Sequence, residues 1–124
     1  MERLSIAPTK YTLGVELDPA TGVLVLRGES YPENAVEFFQ PVFDWLDGYL
    51  AEASHELTLN LHLSYLNTSS TKCLLDILEA LQAYHGDRGT VRVLWFYDAN
   101  DEDILEMGEE LAEDLELPFE FVAS

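Results

Sequence analysis

The stretch that most constrains the fold is Leu57-Thr58-Leu59-Asn60-Leu61-His62-Leu63, in which every second residue is leucine. Strict alternation marks a strand with one face buried and the other left available. The strand runs through Ser64-Tyr65-Leu66-Asn67-Thr68-Ser69-Ser70-Thr71-Lys72 into a segment where Leu74, Ile77, Leu78, Leu81 and Tyr84 recur. That recurrence has the helical period of about 3.6. A strand feeding a helix leaves free backbone N–H groups at the junction, together with the positive end of the helix dipole. Hydroxyls placed there have two uses. They cap the helix, or they accept a phosphoryl group that the helix terminus then holds. One cap needs one residue, whereas Asn67, Thr68, Ser69, Ser70 and Thr71 all stand at this junction.

The rest of the chain follows the same two periods. Residues 11–17 and 23–27 read as strands around the turn Asp18-Pro19-Ala20-Thr21-Gly22, giving an antiparallel hairpin. Gly28-Glu29-Ser30-Tyr31-Pro32-Glu33-Asn34 is a polar loop. Residues 35–53 are helical, with Phe38, Val42, Trp45, Leu46 and Tyr49 on one stripe and Phe39, Phe43 and Leu50 widening it. Pro41 removes one helix hydrogen bond and predicts a kink or a late start. A third strand is expected at 56–63, a second helix at 69–85 stopped by Gly86, and a fourth strand at 91–97. Asp98-Ala99-Asn100 offers the cap of a third helix carrying Ile104, Met107, Leu111 and Leu115, and residues 117–122 close the chain as a short strand.

The order β-β-α-β-α-β-α-β predicts an α/β domain over 10–124, behind a loose lead-in at 1–9. Right-handed crossovers give a mixed five-stranded sheet with three helices in a two-layer sandwich. Because Thr58, Asn60 and His62 share the face opposite the leucines, part of one sheet face is expected to stay open.

Charge narrows the function. Asp and Glu number 24 against six Lys and Arg, a formal charge of −18. Such a surface repels nucleic acid and anionic membrane, so neither is expected as a partner. The single cysteine, Cys73, excludes an internal disulfide framework. No signal-peptide core opens the chain and no apolar run reaches membrane-spanning length, so the expected setting is the cytoplasm. There the Asn67-Thr68-Ser69 sequon has no glycosylation to receive.

Catalytic signatures are missing. His55, His62 and His85 are dispersed, with no metal-ligand spacing to one another or to Cys73. Asp98 to Glu109 loosely follows a calcium loop, but Asp103 stands where that turn needs glycine, and a strand precedes it where a helix should. Nucleophile elbow, P-loop and dinucleotide fingerprints are all lacking. No catalytic residue, metal or cofactor is expected. An alternative reading is a constitutive acidic adaptor that binds a basic protein through the third-helix face, with Asp101, Glu102, Glu106, Glu109, Glu110, Glu113 and Asp114.

Three segments carry a resemblance: Gly28 to Asn34, Tyr65-Leu66-Asn67-Thr68-Ser69-Ser70, and Trp95-Phe96-Tyr97-Asp98. In order and spacing they resemble the SiaC family of bacterial regulatory phosphoproteins. More loosely, the chain is similar to the STAS domains of anti-sigma factor antagonists, in which a serine at the equivalent junction is phosphorylated. Those domains usually have Asp-Ser-Ser followed by glycine where this chain has Asn67-Thr68-Ser69. The resemblance implies a non-catalytic partner-switching protein. Thr68, with Ser69 and Ser70 as alternatives, would be phosphorylated by a cognate serine/threonine kinase and dephosphorylated by a metal-dependent phosphatase. The unphosphorylated form would engage a diguanylate cyclase or another target, serving cyclic di-GMP signalling. Tyr31, Pro32, Glu33 and Asn34 are expected to line one recognition surface with Tyr65, Asn67, Ser69, Ser70 and Lys72. Pro32 and Asn34 could equally do no more than start the first helix.

Overall fold

In the computed structural model, which describes residues 1–124, the chain runs β1 (Leu4–Ile6), β2 (Gly14–Asp18), β3 (Val23–Ser30), α1 (Ala35–Glu52), β4 (Leu57–Leu66), α2 (Thr68–Tyr84), β5 (Val91–Tyr97), α3 (Glu102–Glu113) and β6 (Phe119–Ala123). The strands lie in one sheet in chain order. The pairs β1·β2 and β2·β3 are antiparallel, and the three pairs from β3 to β6 are parallel. Every helical crossover therefore steps the same way across the sheet, and right-handed connections put all three helices on one face. Burial agrees: Leu57, Leu59, Leu61 and Leu63 are inside, while His62 and Ser64 on the alternate face are exposed.

The core lies between that sheet face and the helices. Leu24, Leu26, Val91, Val93 and Trp95 extend the leucine row of β4, and Leu74, Ile77, Leu78, Leu81 and Tyr84 descend onto it from α2. On α1 the fully buried ring is Phe39, with Phe38 only half-buried, so the stripe is rotated slightly from the expected one. α1 starts at Ala35 and runs through Pro41, so there is no late start.

Some expected boundaries and the strand number are corrected. The sheet has six strands where five were expected. The extra one, β1, falls in the expected lead-in, where three residues are too few for any periodicity to show. It is held by the sheet and by side chains: the Trp45 indole N–H donates to the Glu2 carbonyl at 2.7 Å, and the Ser5 hydroxyl donates to Glu16 at 2.8 Å. β2 begins at Gly14, because Tyr11 lies in a turn where Thr9 Oγ1 accepts the N–H groups of Tyr11 and Thr12. α3 is capped by Asp101 and begins at Glu102, later than the expected cap at 98–100.

The third strand of the expectation ends three residues early. β4 continues to Leu66, and its pairing to β3 slips between Gly28 and Glu29, so that Gly28 faces Leu63 and Glu29 faces Tyr65. Ser64 is thus the extra residue of a bulge. Gly28, at φ +100°, takes up the backbone conformation opposite it that a side chain would resist. The bulge reverses the alternation: Leu66 turns into the core and Tyr65 turns outward, half-exposed.

Candidate functional site

The carboxyl ends of β3, β4 and β5 open at one edge of the sheet, and each feeds a helix N-terminus there. The three helices are capped alike. Asn34 Oδ1 accepts the Glu37 N–H at 3.1 Å, Asn67 Oδ1 accepts that of Ser70 at 2.9 Å, and Asp101 Oδ1 accepts that of Ile104 at 3.1 Å.

Asn67 does more than cap. Its backbone N–H donates to the Ser30 carbonyl at 2.9 Å, and its side-chain amide donates to the Pro32 carbonyl at 3.4 Å. Its own carbonyl receives the Thr71 N–H at 2.9 Å and the Thr71 hydroxyl at 3.0 Å. The loop after β3 and the start of α2 are therefore tied directly, which brings Pro32 and Asn67 of the expected surface together. Beneath them the Ser30 and Ser70 hydroxyls share a hydrogen bond of 2.7 Å, with both residues fully buried.

These contacts sort the hydroxyl run. Ser70 is buried against Ser30 and Thr71 is committed to the Asn67 carbonyl, whereas Thr68 and Ser69 are exposed. Thr68 is the first residue of α2, and Lys72 stands one turn along the same face. The Lys72 ammonium rests on Asp76 at 3.6 Å, with both side chains largely in water, a pair that is weak and readily exchanged. The first turn of α2 holds no acidic residue, whereas α1 has Glu37 there and α3 has Glu102 and Asp103. In a chain with 24 carboxylates, the one first turn left free of them is the one that begins with Thr68.

Beside this junction lie three tyrosines. The Tyr11 and Tyr31 rings meet edge-to-face with centroids 5.2 Å apart, and Tyr31 meets Tyr65 in the same manner at 5.9 Å. The Tyr31 N–H donates to the Tyr11 carbonyl at 2.9 Å, fixing the N-terminal turn to the loop after β3. Burial, then the Glu29 carboxylate and Tyr11, push the Tyr31 phenol up from its ordinary value, so it stays protonated at neutral pH. Glu33 and Asn34 are exposed, the latter capping α1 as one of the two readings expected.

Residues 6–124 match the SiaC family of regulatory phosphoproteins. The chain belongs to that family. It is 41% identical over 119 residues to an uncharacterized protein of Pseudomonas aeruginosa strain UCBPP-PA14, covering 96% of this chain and 94% of that one. Among solved structures it is similar to apo-SiaC from Pseudomonas aeruginosa, with a TM-score of 0.91 and 41% identity, covering 99% of this chain and 100% of that one. It is equally similar to SiaC from the same organism in complex with the diguanylate cyclase SiaD, whose activator that SiaC is. There the TM-score is 0.92 and the identity 42%, over 98% of this chain and 99% of the other.

Elsewhere this SiaC-family chain offers little chemistry. Cys73 is buried, and burial followed by Asp76 pushes its thiol up, away from the thiolate that reactivity needs. No group of three or more His, Cys, Asp or Glu side chains is placed to hold a metal ion. No helix is long and apolar enough to cross a membrane. The helix-three carboxylates of the adaptor reading stand exposed apart from Asp101, which is occupied as the cap.

Sequence reasoning missed Ser30 and Tyr11 as parts of this edge. Ser30 was legible in principle, because it continues the core-facing positions Leu24 and Leu26 along β3. Tyr11 was not: its place beside Tyr31 is a contact between segments 20 residues apart, and no local period signals it.

Proposed function

We propose that this chain is a non-catalytic cytoplasmic regulator switched by phosphorylation of Thr68, and that its unphosphorylated form binds and activates a diguanylate cyclase. The observation that carries the reading is the carboxylate-free first turn of α2, with an exposed threonine at its first position. A cognate serine/threonine kinase transfers the γ-phosphoryl of ATP to Thr68 Oγ1, releasing ADP and the hydroxyl proton. The product adds about −1.5 to −2 charges beside free N–H groups and the positive helix end, which favour it. Lys72, one turn on, can leave Asp76 for the phosphate. At the two other helix starts of this edge, Glu37, Glu102 and Asp103 would repel the same group.

Capping and switching are compatible because they use different residues. Asn67 holds the helix start, so the Thr68 side chain is free for modification without loss of the cap. Phosphate then changes bulk and charge on the edge formed by Thr68, Tyr65 and the 31–34 loop, where the cyclase docks in the unmodified state. A metal-dependent serine/threonine phosphatase hydrolyses the phosphoester and restores docking. The helical layer on one sheet face and the hydroxyl junction after a parallel strand support a STAS-like reading of the fold, in keeping with partner switching.

The test is reconstitution with the kinase and cyclase of the same organism. Intact mass should show one phosphate on the wild type and none on Thr68→Ala, while Thr68→Ala still activates the cyclase and the phosphorylated wild type does not. Labelling of Thr68→Ala at the wild-type level would overturn the site, and absence of cyclase activation by unphosphorylated protein would overturn the output.

A further inference from the structure

Tyr11, Tyr31, Pro32 and Glu33 line a recess of about 450 Å³ at the junction edge. We propose that this recess receives an arginine side chain of the protein partner, held over the tyrosine faces and paired with Glu33. The inference rests on the reading that this edge docks a protein.

Four observations converge on a cation. Tyr11 and Tyr65 are 52% and 51% exposed, two of only five large apolar side chains so placed in the whole molecule. With Tyr31 between them they form a continuous aromatic strip that remains wet in the free protein, as the anchors of an interface do. A carboxylate, that of Glu33, stands in the wall of the recess. Finally, the Tyr11 ring already attracts a cation of its own chain, because the Lys10 ammonium stands 5.8 Å from its centre. Lys10 is exposed and makes no salt bridge, so it yields the ring to a better-fitting cation.

Arginine fits better than lysine for two reasons. Its planar guanidinium stacks on an aromatic face, and its fork takes a carboxylate through two N–H groups at once. An acidic or purely aliphatic anchor would bury Glu33 without a partner, which disfavours both. The formal charge of −18 adds a long-range field that draws a basic segment toward the molecule. Tyr65 lies three residues before Thr68, and Asn67 bonds to Pro32, so a segment anchored in the recess lies beside the phosphorylation site.

The test is equilibrium binding of the unphosphorylated protein to the diguanylate cyclase of its own organism, with thermal unfolding as a control on fold. Tyr11→Phe should bind within about twofold of wild type, because the ring face is kept. Tyr11→Leu, which keeps apolar area but removes the ring, should lose about fivefold or more, and Glu33→Gln should lose severalfold with a shallower salt dependence. Wild-type affinity in Tyr11→Leu and Glu33→Gln, with wild-type protein binding the cyclase, overturns the arginine site and leaves the functional reading standing. Failure of folded wild-type protein to bind the cyclase at all overturns both.

Discussion

Ser30 Oγ and Ser70 Oγ stand 2.7 Å apart, 40 residues distant in the chain and both fully buried. They join the end of β3 to the first turn of α2 under the proposed switch residue. Each hydroxyl satisfies the other in a place water does not reach. Ser70→Ala should therefore cost about 1–3 kcal/mol, because Ser30 is left unpaired. The double variant Ser30→Ala/Ser70→Ala should cost less than the two single losses added together. Urea denaturation of the four proteins measures this, and additive losses would show that the pair carries no coupling.

Asn67 should separate capping from chemistry. Asn67→Ala removes the acceptor for the Ser70 N–H and the donor to Pro32, and should cost about 0.5–2 kcal/mol. Asn67→Asp retains the acceptor and adds negative charge at a helix N-terminus, so it should unfold later than Asn67→Ala. Equal midpoints for the two variants would contradict the capping assignment.

Two helical glycines should respond to alanine with opposite signs. A Cβ on Gly108 would meet the Trp95 ring at 2.5 Å, and Trp95 is fully buried with its indole N–H donated to the Ile104 carbonyl. The ring has nowhere to go, so Gly108→Ala should destabilise by about 1–3 kcal/mol despite the better helix propensity. Gly48 is exposed on α1, and its Cβ would meet only the tip of Met1 at 3.4 Å. Gly48→Ala should stabilise by about 0.5–1 kcal/mol. Thermal unfolding of both variants checks the pair of signs.

His62, on the uncovered sheet face, stacks on Phe96 with centroids 4.0 Å apart and planes 9° from parallel. Partial loss of solvent on the ring face against Phe96, and secondarily the Arg27 guanidinium, hold its imidazole below the ordinary histidine range. The folded protein thus favours neutral His62. That contribution to stability is full above the ordinary pKa of about 6.5 and is lost as pH falls below it toward the lowered folded value. Glu16, held down first by the Ser5 hydroxyl, and Asp18, held down first by the Ala20 N–H, lose their contributions only in more acidic solution. An NMR titration should place the His62 midpoint below that of a model histidine, and Arg27→Gln should raise it. A midpoint at or above about 6.5 would refute the assignment.

Cys73 should behave as packing. Buried and with its thiol pushed up, it should resist a thiol reagent at neutral pH in the native protein and react stoichiometrically in denaturant. Rapid native labelling would show that the first turns of α2 open.

Local periodicity by itself determined much of this protein. The leucine alternation of β4, the stripe from Leu74 to Tyr84 and the turn at Asp18–Gly22 fixed the element types, their order and the parallel crossovers, because each is a pattern within a few consecutive residues. The same locality marked the hydroxyl junction and its helix start. Tertiary structure alone decided which hydroxyls are available: Ser70 is removed by Ser30, a partner that β-sheet register delivers from 40 residues away. It also decided the bulge at Ser64, where alternation breaks and Tyr65 turns outward beside Tyr31 and Tyr11. The short strand β1 belongs with these, since three residues carry no period and are ordered only by the neighbours they meet. A side chain's secondary structure is written in its near neighbours, but its exposure and its hydrogen-bond partner depend on which distant segment folds against it.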